Sequence, residues 1–206
     1  LQSIDVVEIL VGFSALLLSL TVHEAAHAWT ADRLGDPTAR LLGRVSLNPA
    51  AHIDLIGTVL FPLIAMISGV PLIGWAKPVP VDQRNLHHPR RDFLFIAAAG
   101  PVSNLLLAAG LAMIYRVTLP GQDTIVFAVL ATALLLNVLL AVFNMVPIPP
   151  LDGGNVLAGL LPARMAHAYD RAIRPYGFII LYGLMLTGIL WRLVRPVQVF
   201  ILSWLL

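Results

Sequence analysis

The 206-residue chain contains no cysteine. That excludes a disulfide framework and any thiolate metal site, so a bound metal would need His, Asp or Glu. Charge is scarce as well. Only 12% of residues are charged, against roughly 25% in an ordinary soluble domain. The net charge is +2, so the sequence pI of about 9.4 reflects a few excess arginines and gives no reason to expect nucleic acid as a partner. Internal repeats and low-complexity tracts are missing, and the chain reads as one domain. The opening residues have no basic n-region, so no cleavable signal peptide is expected and the first apolar run reads as a retained span.

What remains is apolar. The chain is 59% hydrophobic with a mean hydropathy of +0.88, which marks an integral membrane protein. A span needs about 20 mostly apolar residues. The runs 6–29, 93–117, 125–146 and 176–194 qualify or nearly do. The run 54–70 is shorter and interrupted by Pro62, and 197–206 is too short to span. Basic residues concentrate in 30–53 (Arg33, Arg40, Arg44), 71–92 (Lys77, Arg84, Arg90, Arg91) and 147–175 (Arg164, Arg171, Arg174). The positive-inside rule puts all three in the cytoplasm. Arg192 and Arg195 then fall outside, and 54–70 must re-enter or lie in the interface. Segments 38–47 and 72–81 alternate or carry prolines and read as extended strands. The expected fold is an all-α integral membrane protein: a polytopic helical bundle of about four full spans plus a re-entrant or partial helix, with short membrane-associated β-strands. It forms a single domain over 1–206, with a catalytic core of about 6–162 and a C-terminal span of about 176–194.

Three residues break the first span. His23-Glu24-Ala25-Ala26-His27 is HExxH. Residues i and i+4 share a helix face, so both imidazoles can reach one metal. Glu24 sits about 100° around the helix from His23, placed to act as general base on water at that metal. Ionisable side chains inside a span are functional by default. Zinc held by two histidines takes a third protein ligand and keeps a fourth position open. "FNMVPIPPLDGG" at 143–154 supplies a candidate. It follows the span 125–146 and lies at the same expected depth as HExxH. Its prolines forbid a continuing helix, so Asp152 is presented on irregular backbone, and Gly153 and Gly154 permit close approach. A competing role for Asp152 is as the N-cap of a helix starting at Gly153.

These motifs, with "NPAAHID" at 48–54, "GWAKPVPV" at 74–81 and "GPVSN" at 100–104, together resemble the site-2 protease family of intramembrane zinc metalloproteases. The resemblance runs from about residue 20 to 160, to the compact prokaryotic members without a PDZ domain. One departure is Leu55, where related sequences often have proline. The resemblance implies a metalloendopeptidase that hydrolyses a peptide bond within transmembrane segments. It implies one zinc ion on His23, His27 and Asp152, with Glu24 as the catalytic base. It implies that Asn144 helps hold the substrate or its oxyanion, with Asn104 a weaker candidate for the same role; a hydrogen bond between helices is the competing reading for both. The implied partners are single-pass transmembrane substrates and the lipid bilayer. The implied location is the cell membrane, multi-pass, with the active site inside the bilayer towards the cytoplasmic side.

Two other readings stay open at this point. A divalent-metal transporter also lines its path with such residues, although it would carry ionisable groups along the whole path, often in repeated halves. A catalytically dead relative is disfavoured because Glu24 and all three ligand candidates are present. His52 and Asp54 are expected to fix a turn rather than bind metal. Trp29, Trp75 and Trp191 suit interfacial anchoring.

Overall fold

A computed structural model describes residues 6–68, 74–118 and 124–206. Among them, three helices are long and apolar enough to cross a membrane: α1 (Val6–Arg33), α4 (Pro89–Thr118) and α5 (Ile125–Asn144). The shorter helices are α2 (Thr38–Leu41), α3 (Phe61–Ser68), α6 (Asp152–Leu160), α7 (Ala163–Ile173), α8 (Gly177–Leu186) and α9 (Ile189–Leu205). A fourth crossing exists only if the helical stretch ending at Leu186 and α9 count together, and these are bent by 79°. The break lies at Gly188, whose φ of +73° is a conformation that glycine adopts at little cost. The apolar stretch 176–194 is therefore split between two helices rather than forming one straight span.

The expected strands are not there. No strand occurs among the described residues. Residues 38–41 form one helical turn instead, followed by bends at 45–47. The alternation in 38–47 misled because Leu41, Leu42 and Leu47 are all exposed and mark no buried face. Within 72–81, positions 72 and 73 lie outside the described residues, and 74–81 is extended without a ladder. Its N–H groups at Trp75 and Lys77 donate to Gly57 O (3.0 Å) and His52 O (2.9 Å). His52 lies in a turn and Gly57 in the π-helical stretch Leu55–Leu60, so neither carbonyl belongs to a strand. The next donor in that register is Val79, which makes no such bond among the described residues, and Pro78 and Pro80 in the other register have no N–H.

The three long helices pack around small and polar side chains. Ala108 and Ala112 of α4 meet Leu134 and Val138 of α5, and small residues let helix backbones approach in lipid. Ser19 Oγ and Thr21 Oγ1 donate to the carbonyls of Ala15 (2.6 Å) and Leu17 (2.7 Å) one turn earlier. This satisfies hydroxyls where no water is available. The elbow of α8 and α9 closes over Leu151 with Leu181, Met185, Leu190 and Val194. Leu55–Leu60 forms a π-helical turn that runs into α3. Asp54 caps it by accepting from Ile56 N and Gly57 N. At about 1.5 Å per residue, the 14 residues of 55–68 reach roughly 21 Å, short of the ~30 Å hydrocarbon thickness.

One buried carboxylate fixes the end of α1 against the loop that enters α4. Asp36 accepts from Thr38 N (3.1 Å), Thr38 Oγ1 (2.5 Å), Asp82 N (2.7 Å) and Asn85 Nδ2 (2.9 Å). Burial works to raise its pKa, and the hydrogen bonds from Thr38, Asn85 and Asp82 outweigh it, so the carboxyl lies below its ordinary value. Its stabilisation is therefore complete above the unfolded value of about 3.9 and is lost as pH falls through the lower folded value. Replacing Asp36 by Ala strands four donors and should cost about 2 kcal/mol or more. The expected result is a lower melting temperature of the detergent-solubilised protein and faster proteolysis of the 82–88 loop.

Candidate functional site

His23 and His27 occupy one face of α1, and both are buried. Each ring is held from behind. His27 Nδ1 lies 2.6 Å from the backbone carbonyl of Ile96 on α4. A carbonyl only accepts, so Nδ1 carries the proton and the neutral ring presents a lone pair at Nε2. His23 Nδ1 lies 2.7 Å from Asn104 Oδ1, also on α4, which places its proton the same way. The two Nε2 atoms are 3.0 Å apart.

Asp152 completes the group. It is the first residue of α6, and Leu151 rather than Asp152 holds the cap position. Its side chain is directed at the histidines, with Oδ2 at 3.0 Å from His23 Nε2 and 3.4 Å from His27 Nε2. Oδ2 is buried and receives no hydrogen bond. This follows from the ring tautomers, because both imidazole protons point away.

Three electron pairs thus converge in a buried space without a donor between them. A single proton could bridge one pair of these atoms, but only a cation at the centre satisfies all three. Ligands about 2.0–2.1 Å from a tetrahedral zinc lie roughly 3.3 Å from one another, close to the 3.0, 3.0 and 3.4 Å found here. Two neutral imidazoles and a carboxylate also suit a borderline ion such as zinc. The residues present fit the metal.

Glycine makes the approach possible. A Cβ on Gly100 would lie 2.4 Å from His27 Nε2 and 2.6 Å from His23 Nε2, so α4 can cover the imidazoles only with hydrogen at this position. Gly153 and Gly177 do the same for the Asp152 loop. A Cβ there would meet Met145 O at 2.3 Å and Pro149 O at 1.9 Å, respectively.

The group opens on a cavity of about 480 Å³. Glu24 and Asn144 line it, together with Phe93, Phe143, Phe178 and the extended segment from Gly74. Asn144 Nδ2 gives one hydrogen to Leu140 O at 3.0 Å, which leaves the other for the cavity. Asn104 is placed differently. It is fully buried behind His23 and does not line the cavity. His52 is held by Ser46 O at 2.8 Å and takes no part in the ligand group.

Sequence reasoning missed Ser19 and Asn137. Both are buried next to Asn104, with Asn137 Oδ1 2.8 Å from Asn104 Nδ2 and Ser19 Oγ 2.8 Å from Asn137 Nδ2. The signal was available. Ser19 precedes His23 by one helical turn, and Asn137 lies two turns before Asn144 in an otherwise apolar span.

Comparison with known proteins gives a consistent result. The family model "Peptidase family M50" matches residues 120–188. YwhC of Bacillus subtilis, named as a zinc metalloprotease, is 37% identical over 181 residues, covering 84% of this chain and 78% of that protein. Rip2 of Mycolicibacterium smegmatis, named likewise, is 31% identical over 180 residues, covering 85% of this chain and 66% of that protein. No solved structure matches the chain.

The role of Gly100 is open to direct measurement. Gly100→Ala should weaken zinc binding by tenfold or more, read by chelator competition on purified protein. Gly110→Ala, on the same helix where a Cβ meets nothing within 4 Å, should leave it unchanged.

Proposed function

The chain belongs to peptidase family M50, the site-2 protease family, and we propose that His23, His27 and Asp152 are its zinc ligands and Glu24 its general base. It is a zinc metallopeptidase that cleaves membrane proteins within the bilayer. The observation that carries the residue assignment is the convergence of three buried acceptors with no donor among them.

A zinc ion held there would supply Lewis-acid activation of water and of the scissile carbonyl. The protein's own groups do the rest. Glu24 takes a proton from the attacking water as the water oxygen bonds to the carbonyl carbon. It returns a proton to the amide nitrogen as the C–N bond breaks. Asn144 donates its remaining N–H to the negative charge that develops on the carbonyl oxygen. Asn104 is not in this set, because its amide is occupied behind His23.

A helical substrate hides its peptide groups in its own hydrogen bonds, so it must unwind before attack. The unwound backbone then needs new partners. In the extended segment 74–81, the N–H groups of Trp75 and Lys77 point to the carbonyls of Gly57 and His52. Alternate residues of an extended chain point the opposite way, so Ala76 directs its N–H and C=O to the other side, where the cavity lies. Ala76 is one of the residues lining that cavity. Single-pass transmembrane segments suit such a site because they can enter sideways and unwind at one point.

The three basic segments flank the same end of α1, α4 and α5. Arg90 of α4 donates to Ala158 O of α6, which joins two of them directly. With that end in the cytoplasm, the protein is multi-pass and cuts towards the cytoplasmic side of the cell membrane. The transport alternative has no support: among the described residues, the groups able to hold a metal form a single set at one depth.

Glu24→Gln should retain zinc at the wild-type stoichiometry and lose cleavage of a single-span substrate by at least a hundredfold. Full activity in that variant would sink the assignment. Ala76→Pro removes the cavity-facing N–H and should raise KM several-fold without changing zinc content.

A further inference from the structure

We infer that Asn137 of α5 and Ser19 of α1 are positioning residues that set the tautomer of His23 through Asn104. This rests on the reading of His23 as a zinc ligand.

The argument starts from acceptors that cannot be anything else. The carbonyl of Ala133 lies 2.8 Å from Asn137 Nδ2. A backbone carbonyl cannot donate, so the Asn137 amide must turn its NH2 there, and the same NH2 donates to Ser19 Oγ at 2.8 Å. Ser19 Oγ can accept that bond because its own hydrogen goes to Ala15 O at 2.6 Å. Asn137 Oδ1 therefore faces the other way, towards Asn104 Nδ2 at 2.8 Å. Asn104 Nδ2 gives its second hydrogen to the carbonyl of Ser19 at 3.1 Å. Both Asn104 donors are thereby used, and Asn104 Oδ1 is left to face His23 Nδ1 at 2.7 Å. His23 must protonate that nitrogen, and its Nε2 lone pair is presented to the site.

The direction of each bond is thus fixed in sequence, from the backbone of α5 and α1 to the ligand atom. Asn104, Asn137 and Ser19 are each 0 to 1% exposed, so no solvent competes. Turning either amide over would bring its carbonyl oxygen against a backbone carbonyl in a low-dielectric interior, a costly arrangement. His27 needs no such relay, because a backbone carbonyl meets its Nδ1 directly. The outer hydrogen bonds of metal-bound histidines typically govern affinity by 10–100-fold.

The test compares purified full-length variants by zinc affinity from chelator competition and by the visible spectrum of the cobalt(II)-loaded protein. Asn137→Leu should weaken zinc about tenfold and shift the cobalt bands. Ser19→Ala removes one of the two acceptors of Asn137 and should weaken zinc a few-fold in the same direction. Leu134→Ala removes a buried side chain from α5 outside the relay. It should lower the melting temperature while leaving zinc affinity and the cobalt spectrum unchanged. Wild-type affinity and spectrum in Asn137→Leu overturn the relay, as does an equal loss in Leu134→Ala. Should Asn137→Leu fail to fold, Ser19→Ala decides, and wild-type values there overturn the relay. His23→Ala separates this question from the ligand assignment. If His23→Ala loses zinc while Asn137→Leu keeps it, only the relay fails. If His23→Ala keeps zinc, the ligand assignment itself is wrong.

Discussion

The structure depends on one electrostatic constraint: three buried acceptors face one another with nothing to donate between them. His23 Nε2, His27 Nε2 and Asp152 Oδ2 lie within 3.0 to 3.4 Å. Left alone in a membrane-embedded bundle, this arrangement is repulsive and desolvated. It becomes favourable when a cation sits at the centre. A metal bound there would couple its binding to folding, as in other sites built from converging ligands. The same constraint explains why the imidazole protons are directed outwards, onto Ile96 O and Asn104 Oδ1.

Bringing the ligands together demands backbone approaches that side chains would block. Gly100 lets α4 lie against both imidazoles, and Gly153 and Gly177 let the proline-rich loop and α8 close around Asp152. The ligands come from elements far apart in sequence, the second half of α1 and the start of α6. Their meeting depends on α4, which packs between the two and supplies a hydrogen-bond partner to each histidine. Asp36 secures the loop into α4 at the same end of the bundle.

Much of this was legible in the sequence, for identifiable reasons. Length and apolar composition located α1, α4 and α5, since a long apolar run can cross lipid only as a helix that satisfies its own backbone. HExxH spacing put two imidazoles on one face, and the prolines before Asp152 announced irregular backbone at the same end. The β-strands were misread because exposed leucines on a lipid-facing or interfacial segment imitate the alternation of a half-buried strand. The elbow at Gly188 was missed because an apolar run does not reveal that its chain turns by 79°. Asn104 was recognised as polar and functional, but a residue type does not say which side of a ligand it occupies. It stands behind His23 rather than in the cavity. Asn137 passed unnoticed because a lone amide in a span gains meaning only from the acceptors around it.

The central claim is that zinc is held by two imidazoles from α1 and the carboxylate of Asp152. Zinc K-edge X-ray absorption of the purified protein tests this most directly, with wild type measured beside Asp152→Ala. The account predicts two imidazoles in the ligand shell with oxygen completing it, all near 2.0–2.1 Å. It predicts a changed oxygen shell, or loss of zinc, in Asp152→Ala. Three or more imidazoles in wild type, or an unaltered shell in Asp152→Ala, would contradict it.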